Sequence, residues 1–270
     1  MIRLTLALIL ALLAPQAGAE QVQSATAVAR AAQGADIVIL GEVHDNPAHH
    51  RLQAEVVEAL APTALVFEML TEDGARRVTP DLAADPVALE EVLMWSESGW
   101  PDFAMYYPLI AYAQTGPIYG AQVVREAAQG AFANGAAATF GAGAARFGLD
   151  RPLPEEEQAA REAAQLAAHC DALPPEILPG FVEAQRLRDA VLARVALDAL
   201  ARHGAPVAII TGNGHARRDW GIPALLAVAA PELEVVSLGQ FEAPPDADTP
   251  FDLWALADPV ARPDPCAAFR

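Results

Sequence analysis

The chain contains no lysine, so all 17 of its basic residues are arginine. That absence excludes a Schiff-base lysine mechanism. Basic charge is scarce altogether, because 35 acidic residues leave a formal net charge of −18. No basic stripe interrupts this field, which repels phosphate backbones, and nucleic-acid binding is excluded. Cysteine is nearly absent, with only Cys170 and Cys266. Lacking C-x-x-C spacing, the two do not make a cysteine metal site. In an oxidising compartment such a pair forms a structural disulfide, here tying the end of a helical segment to the C-terminal tail; two separate buried thiols are the alternative.

Several catalytic signatures are missing as well. There is no G-x-S-x-G elbow, no P-loop and no H-E-x-x-H, and Gly212-x-Gly214 lacks the third glycine of a dinucleotide fingerprint. Past the first twenty residues no apolar run is long enough to cross a membrane, so no transmembrane segment is expected. Those first residues read as a leader. Arg3 is a positive n-region, Leu4 to Ala14 an apolar h-region, and Ala17-Gly18-Ala19 an A-x-A cleavage site. Residues 1–19 are therefore expected to be a signal peptide. With no cysteine at the cleavage site to carry a lipid, the product is expected to be a soluble, periplasmic protein.

The remaining residues, 20–270, read as a single α/β domain with a mostly parallel central sheet flanked by helices. Strands are expected over 36–41, 63–69, 117–121, 206–211, 234–238 and 251–256. Asn46 followed by Pro47 marks the N-cap and first position of a helix reaching about Ala61, with Leu52, Val56, Val57 and Leu60 at core spacing. Further helices are expected over 22–34, 85–95, 103–114, 154–169 and 176–203. Residues 127–203 read as a helical insertion or lid, within which 127–154 is rich in alanine and glycine and weakly patterned.

One short pattern occurs twice: Gly41-Glu42-Val43-His44 and Gly212-Asn213-Gly214-His215. Each follows a β-branched apolar run and precedes a helix-start signal. In an open parallel sheet functional groups collect beyond the carboxyl ends of the strands, so both histidines are expected on one rim. Glu42 lies two residues before His44, and Glu68 ends the apolar run Thr63 to Phe67, where a carboxylate is costly unless paired or ligated. Glu42, His44, Glu68 and His215 together suit a divalent metal such as Zn, Mn or Fe. They equally suit a metal-free acid/base site. His50 is placed to face His44 across the helix start, whereas His49 is expected to be solvated. Gln185 and Asp189, one helical turn apart, are candidates to orient a rim histidine. Arg125 and Arg218, with Arg217, offer cationic partners for an anionic ligand.

GEVHDNPAHHRLQ, the strand ending in FEM, WPDFAMYYPLI, EAQRLRDAVLA and ITGNGHARRDWGIPALL, in that order, resemble the ChaN-like haem-binding uptake proteins. That family shares a superfamily with the Tiki proteases and the erythromycin esterases. The resemblance spans roughly Ala35 to Leu226, and the DPCAAF tail is also typical. It implies an α/β fold with both G-x-x-H turns beside one pocket, and haem or iron acquisition at the cell envelope. It further implies tyrosine ligation of haem at a homodimer interface, with propionates held by basic groups. Tyr106 and Tyr107 are the tyrosine candidates on this reading, with Arg125 and Arg218 for the propionates. The protease and esterase relatives imply the competing reading, a metal-dependent or His/Glu-activated hydrolase using Glu42, His44, Glu68 and His215. The absence of lysine and of a lipobox cysteine departs from the family pattern.

Overall fold

Ile37-Val38-Ile39-Leu40 is apolar at every position, the pattern of a strand buried on both faces. In the computed structural model it lies in the middle of a seven-stranded sheet. The structure describes residues 18–264 and 266–267, so residues 1–17 of the expected leader lie outside the described residues. The strands are β1 (Glu20–Gln21), β2 (Ile37–Glu42), β3 (Ala64–Phe67), β4 (Ile118–Gly120), β5 (Val207–Gly212), β6 (Val235–Phe241) and β7 (Leu253–Leu256). Their order is β1-β7-β6-β2-β5-β3-β4, and every pairing is parallel. Between β2 and β3 the chain moves to one side of β2, and between β5 and β6 it crosses to the other. The rim above β2 and β5 is thus the crevice where ligands bind in such sheets.

Alternation along the strands divides the core into two layers. Ile37, Ile39, Val66, Val207 and Ile209 pack under helices Arg125–Asn134, Leu178–His203 and Ile222–Ala229. Val38, Leu40, Leu65, Phe67 and Ile210 pack under helices Ala25–Ala31, Pro47–Leu60 and Phe103–Ile110. The weakly patterned stretch 127–154 is itself mostly helical, with Ala136–Phe140 and a 3-10 turn at Ala144–Phe147 following the Arg125–Asn134 helix. Three of its five buried residues are alanines, Ala131, Ala136 and Ala144, beside Phe147 and Leu149. Alanine favours the helix but gives little apolar contrast, so the periodicity does not register in the sequence. The short β1 strand, which pairs Glu20 and Gln21 with β7, carries no apolar pattern either.

The Pro47–Leu60 helix begins as the sequence indicates, with the Asn46 side chain accepting from Ala48 N at 2.9 Å. Its buried face is more polar than expected: His49, His50, Gln53, Val56 and Val57 are covered, while Leu52 and Leu60 are only partly so. The polar residues serve the loose backbone at the end of β2. Gln53 Nε2 donates to Leu40 O at 2.9 Å, and Val43 N–H donates to His49 Nδ1 at 2.9 Å. His49 is therefore an interior residue, contrary to its expected solvation, and burial lowers its pKa to about 4.

The C-terminal tail is tied back at two places. Arg262 forks onto Asp45 (2.6 and 2.7 Å) and onto Glu242 (2.6 and 2.7 Å), beside the His44 turn. Cys170 and Cys266 form a disulfide across 96 residues. A cross-link closing a loop of that size constrains mainly the unfolded chain. Replacing both cysteines by serine is expected to lower the unfolding free energy in urea by about 2–5 kcal/mol. A loss below about 1 kcal/mol would show that the bridge does not constrain the unfolded chain to that extent.

Candidate functional site at the rim of the sheet

The pairing of β2 with β5 runs from Ile37↔Val207 to Glu42↔Gly212, so Gly41 faces Thr211 and the two G-x-x-H motifs are out of step by one residue. One residue of offset places equivalent positions on opposite faces of a sheet. Each motif's first glycine makes room for the other turn. A Cβ on Gly212 would sit 2.8 Å from His44 Nε2, and one on Gly41 would sit 2.6 Å from Asn213 Oδ1. Asn213 in turn holds β6 by accepting from Gln240 N at 3.0 Å and donating to Gln240 O at 2.5 Å.

Two histidine–carboxylate groups result, one on each face. On the first, His44 Nδ1 is 2.8 Å from Glu42 Oε1, and the Tyr106 hydroxyl donates to the same oxygen at 2.9 Å. His50 places Nε2 2.8 Å from His44 O and Nδ1 3.4 Å from Glu42 Oε2. Burial works against charge on His44, but the Glu42 hydrogen bond and the field of Glu68 outweigh it and raise its pKa. On the second face, His215 stands between Asp189, 2.6 Å from Nδ1, and Glu68, 3.4 Å from Nε2. Glu68 Oε2 also accepts from Thr211 Oγ1 at 2.7 Å and Gly212 N at 2.8 Å. Burial opposes the His215 charge, yet Glu68 and Asp189 together raise its pKa to about 10. Burial would lift Glu68 too, but His215 and His44 hold it far below the carboxylate range. Asp189, fully interior, is pushed up by burial in spite of His215.

A histidine charged at neutral pH has no lone pair for a metal or for a proton from water. Among the described residues no group of three or more His, Cys, Asp or Glu is arranged to hold a metal ion. The metal set expected from Glu42, His44, Glu68 and His215 is instead bonded into two pairs, Glu42 with His44 and Glu68 with His215. Both tyrosine candidates have their hydroxyls hydrogen-bonded within the protein. Tyr106 is fully buried, and burial with the Glu42 charge raises its pKa, so it stays a neutral donor. Tyr107 donates to Ala83 O at 3.2 Å and packs on Phe103. Arg218 pairs with Asp252 at 3.0 Å, and Arg125 opens its helix in solvent.

Above the rim lies a cleft of about 350 Å³ with His44, Glu68 and His215 as its floor. Trp100, Phe181 and His169 form its walls, and Gln165, Gln185 and Arg188 its polar edge. A second hollow of about 260 Å³ shares Gln165, Gln185 and His215 with it and extends towards Arg161, Arg217 and Trp220. Trp100 lies 5.0 Å from His44, ring to ring, and its indole N–H is a buried donor with no acceptor among the described residues. Arg188 Nη1 donates to Gln185 Oε1 at 3.1 Å. Trp100, His169 and Phe181 carry no sequence signal for this role, since they come from three separate segments that meet only in the folded chain.

Two measurements probe this arrangement. Gly212→Ala drives a methyl group into the His44 ring and is expected to cost about 1–3 kcal/mol of stability; an unfolding midpoint equal to that of the parent would show the ring free to move. The His215 pKa rises from 6.5 to about 10 on folding, so its contribution is full below pH 6.5 and is lost as pH climbs to 10. Within that window this group should make unfolding free energy fall by about 1.4 kcal/mol per pH unit, and His215→Asn should remove that slope. An unchanged slope in the variant would assign the dependence elsewhere.

The described residues include no helix long and apolar enough to cross a membrane. A sequence profile of the family described as haem-binding uptake, Tiki superfamily, ChaN matches residues 28–226. The fold is similar to that of ChaN of Campylobacter jejuni, solved for its cofacial haem binding, at 19% identity and a TM-score of 0.64; the match covers 83% of this chain and 89% of that one. The type III effector HopBA1 is a more remote likeness, at 13% identity and a TM-score of 0.47, covering 90% of this chain and 98% of that one. No curated protein matches the chain. With the profile spanning most of the sheet, both G-x-x-H turns and the long helix that supplies Asp189, the chain belongs to the ChaN family of haem-binding uptake proteins in the Tiki superfamily.

Proposed function

We propose that this protein binds haem in the cleft above the β2/β5 rim and serves iron acquisition at the cell envelope. The observation that carries the reading is the chemistry of the cleft, taken with membership of the family. A haem needs apolar walls for its macrocycle, cationic or N–H donors for its propionates, and a side-chain donor for its iron. Trp100 and Phe181 are aromatic walls, and Arg188 is a cationic donor at the edge. Bound there, haem would supply the iron centre; the chain itself would orient the macrocycle and neutralise its carboxylates. Arginine in place of lysine suits this task, because its planar fork meets a carboxylate bidentately.

The hydrolase reading fits less well, because His215 is charged and bonded on both nitrogens and the carboxylates are bonded within their own clusters. Export is part of the proposal: it is supported by the leader-like first residues and by the Cys170–Cys266 bridge, a feature of oxidising compartments. Pairing of two copies is also part of it. ChaN of Campylobacter jejuni binds haem cofacially, and the same arrangement here would set two open cleft mouths against each other.

Titration with haemin is the test. A Soret shift saturating at one haem per chain is expected, with Arg188→Ala weakening binding about tenfold, the effect of losing one charged hydrogen bond. Absence of any saturable shift in the parent protein would overturn the function, and an unaltered affinity in Arg188→Ala would remove Arg188 from the site.

A further inference from the structure

We propose that His169 is the haem-iron ligand of this chain, through Nε2, in the place that the family resemblance gives to a tyrosine. The inference rests on the reading that the cleft binds haem, and it goes beyond that reading by naming the donor.

All four tyrosines of the chain are otherwise engaged. Tyr106 is fully buried and donates to Glu42. Tyr107 donates to Ala83 O, Tyr112 donates to Pro62 O, and the Tyr119 hydroxyl is 2.6 Å from His203 Nε2. None of them lines the cleft. Both cysteines are joined in the disulfide. Of the imidazoles in the cleft, His215 is bonded through both nitrogens. His44 is bonded through Nδ1, and its Nε2 lies against the end of β5, where a Cβ on Gly212 would be 2.8 Å away.

His169 is differently placed. It caps the helix Glu155–Ala168, and its Nδ1 is 2.7 Å from Gln165 O. A carbonyl oxygen only accepts, so Nδ1 carries the proton and the lone pair is left on Nε2. Nothing among the described residues bonds that nitrogen. A ring whose Nδ1–H is held by a carbonyl is fixed in tautomer and orientation, the usual support for a metal-binding histidine. The ring plane is fixed by Phe181, 4.9 Å away between centroids. The turn that follows is also fixed: Cys170 and Asp171 take left-handed backbone (φ 60° and 55°), and Cys170 is bonded to Cys266. The donor therefore sits on an anchored turn in the lining of the cleft that also includes Trp100 and Arg188.

The test compares optical and electron paramagnetic resonance spectra of the ferric haem complexes of the full chain and its variants. The parent protein is expected to show imidazole ligation. His169→Ala should lose that signature and at least tenfold in affinity, and His169→Gly should regain the signature when free imidazole is added. His169→Tyr should convert the spectrum to that of phenolate ligation, whereas Tyr107→Phe should leave it as in the parent. Saturable haem binding with a spectrum indifferent to His169, or one lost in Tyr107→Phe, would overturn the assignment while leaving the haem-binding reading intact. A parent protein that takes up no haem would instead overturn the function on which the assignment rests.

Discussion

Parallel pairing of β2 with β5 through Glu42↔Gly212 is the constraint on which the rest of the rim depends. It brings two distant turns within contact and leaves no space for a side chain at either leading glycine. Gly212 accommodates the His44 ring, and Gly41 accommodates Asn213, which ties the second turn to β6. Each turn is thereby built partly from the other. Neither position needs glycine for an unusual backbone angle; each needs it for close approach.

Placing ionisable groups at this depth is costly unless each charge is answered. Here the answers come from different elements. Asp189 arrives on the long helix Leu178–His203, Glu68 from the end of β3, and Thr211 with Gly212 from β5; together they hold His215 as a cation. On the opposite face, Tyr106 and His50 surround Glu42 and leave His44 as the histidine nearer to solvent. This bonding makes the floor of the cleft a rigid electrostatic structure. Groups available to a ligand lie above it, on Trp100, His169, Phe181 and Arg188.

Residue-type reasoning therefore points to this rim but carries no record of how its residues are bonded to one another. Glu42, His44, Glu68 and His215 do gather at one sheet rim, yet in two internally bonded groups and not as one set of metal donors. Tyr106 stands among them as a hydrogen-bond donor from the interior, and Tyr107 and Arg218 are engaged elsewhere. His49, which looks like a solvated polar residue in a helix first turn, is interior because that turn caps the end of β2.

By itself the sequence determined the α/β class, the β-branched strands, the Asn46-capped helix and the family, because those follow from local periodicity, capping chemistry and motif order. It also determined that the two G-x-x-H turns leave strands of one parallel sheet. Only the tertiary structure decided the one-residue offset between them, the joining of Cys170 to Cys266, and the pairing of His215 with Asp189. It alone decided which nitrogen of His169 is left free. These depend on register and on contacts between segments far apart in the chain, and local composition carries no record of either.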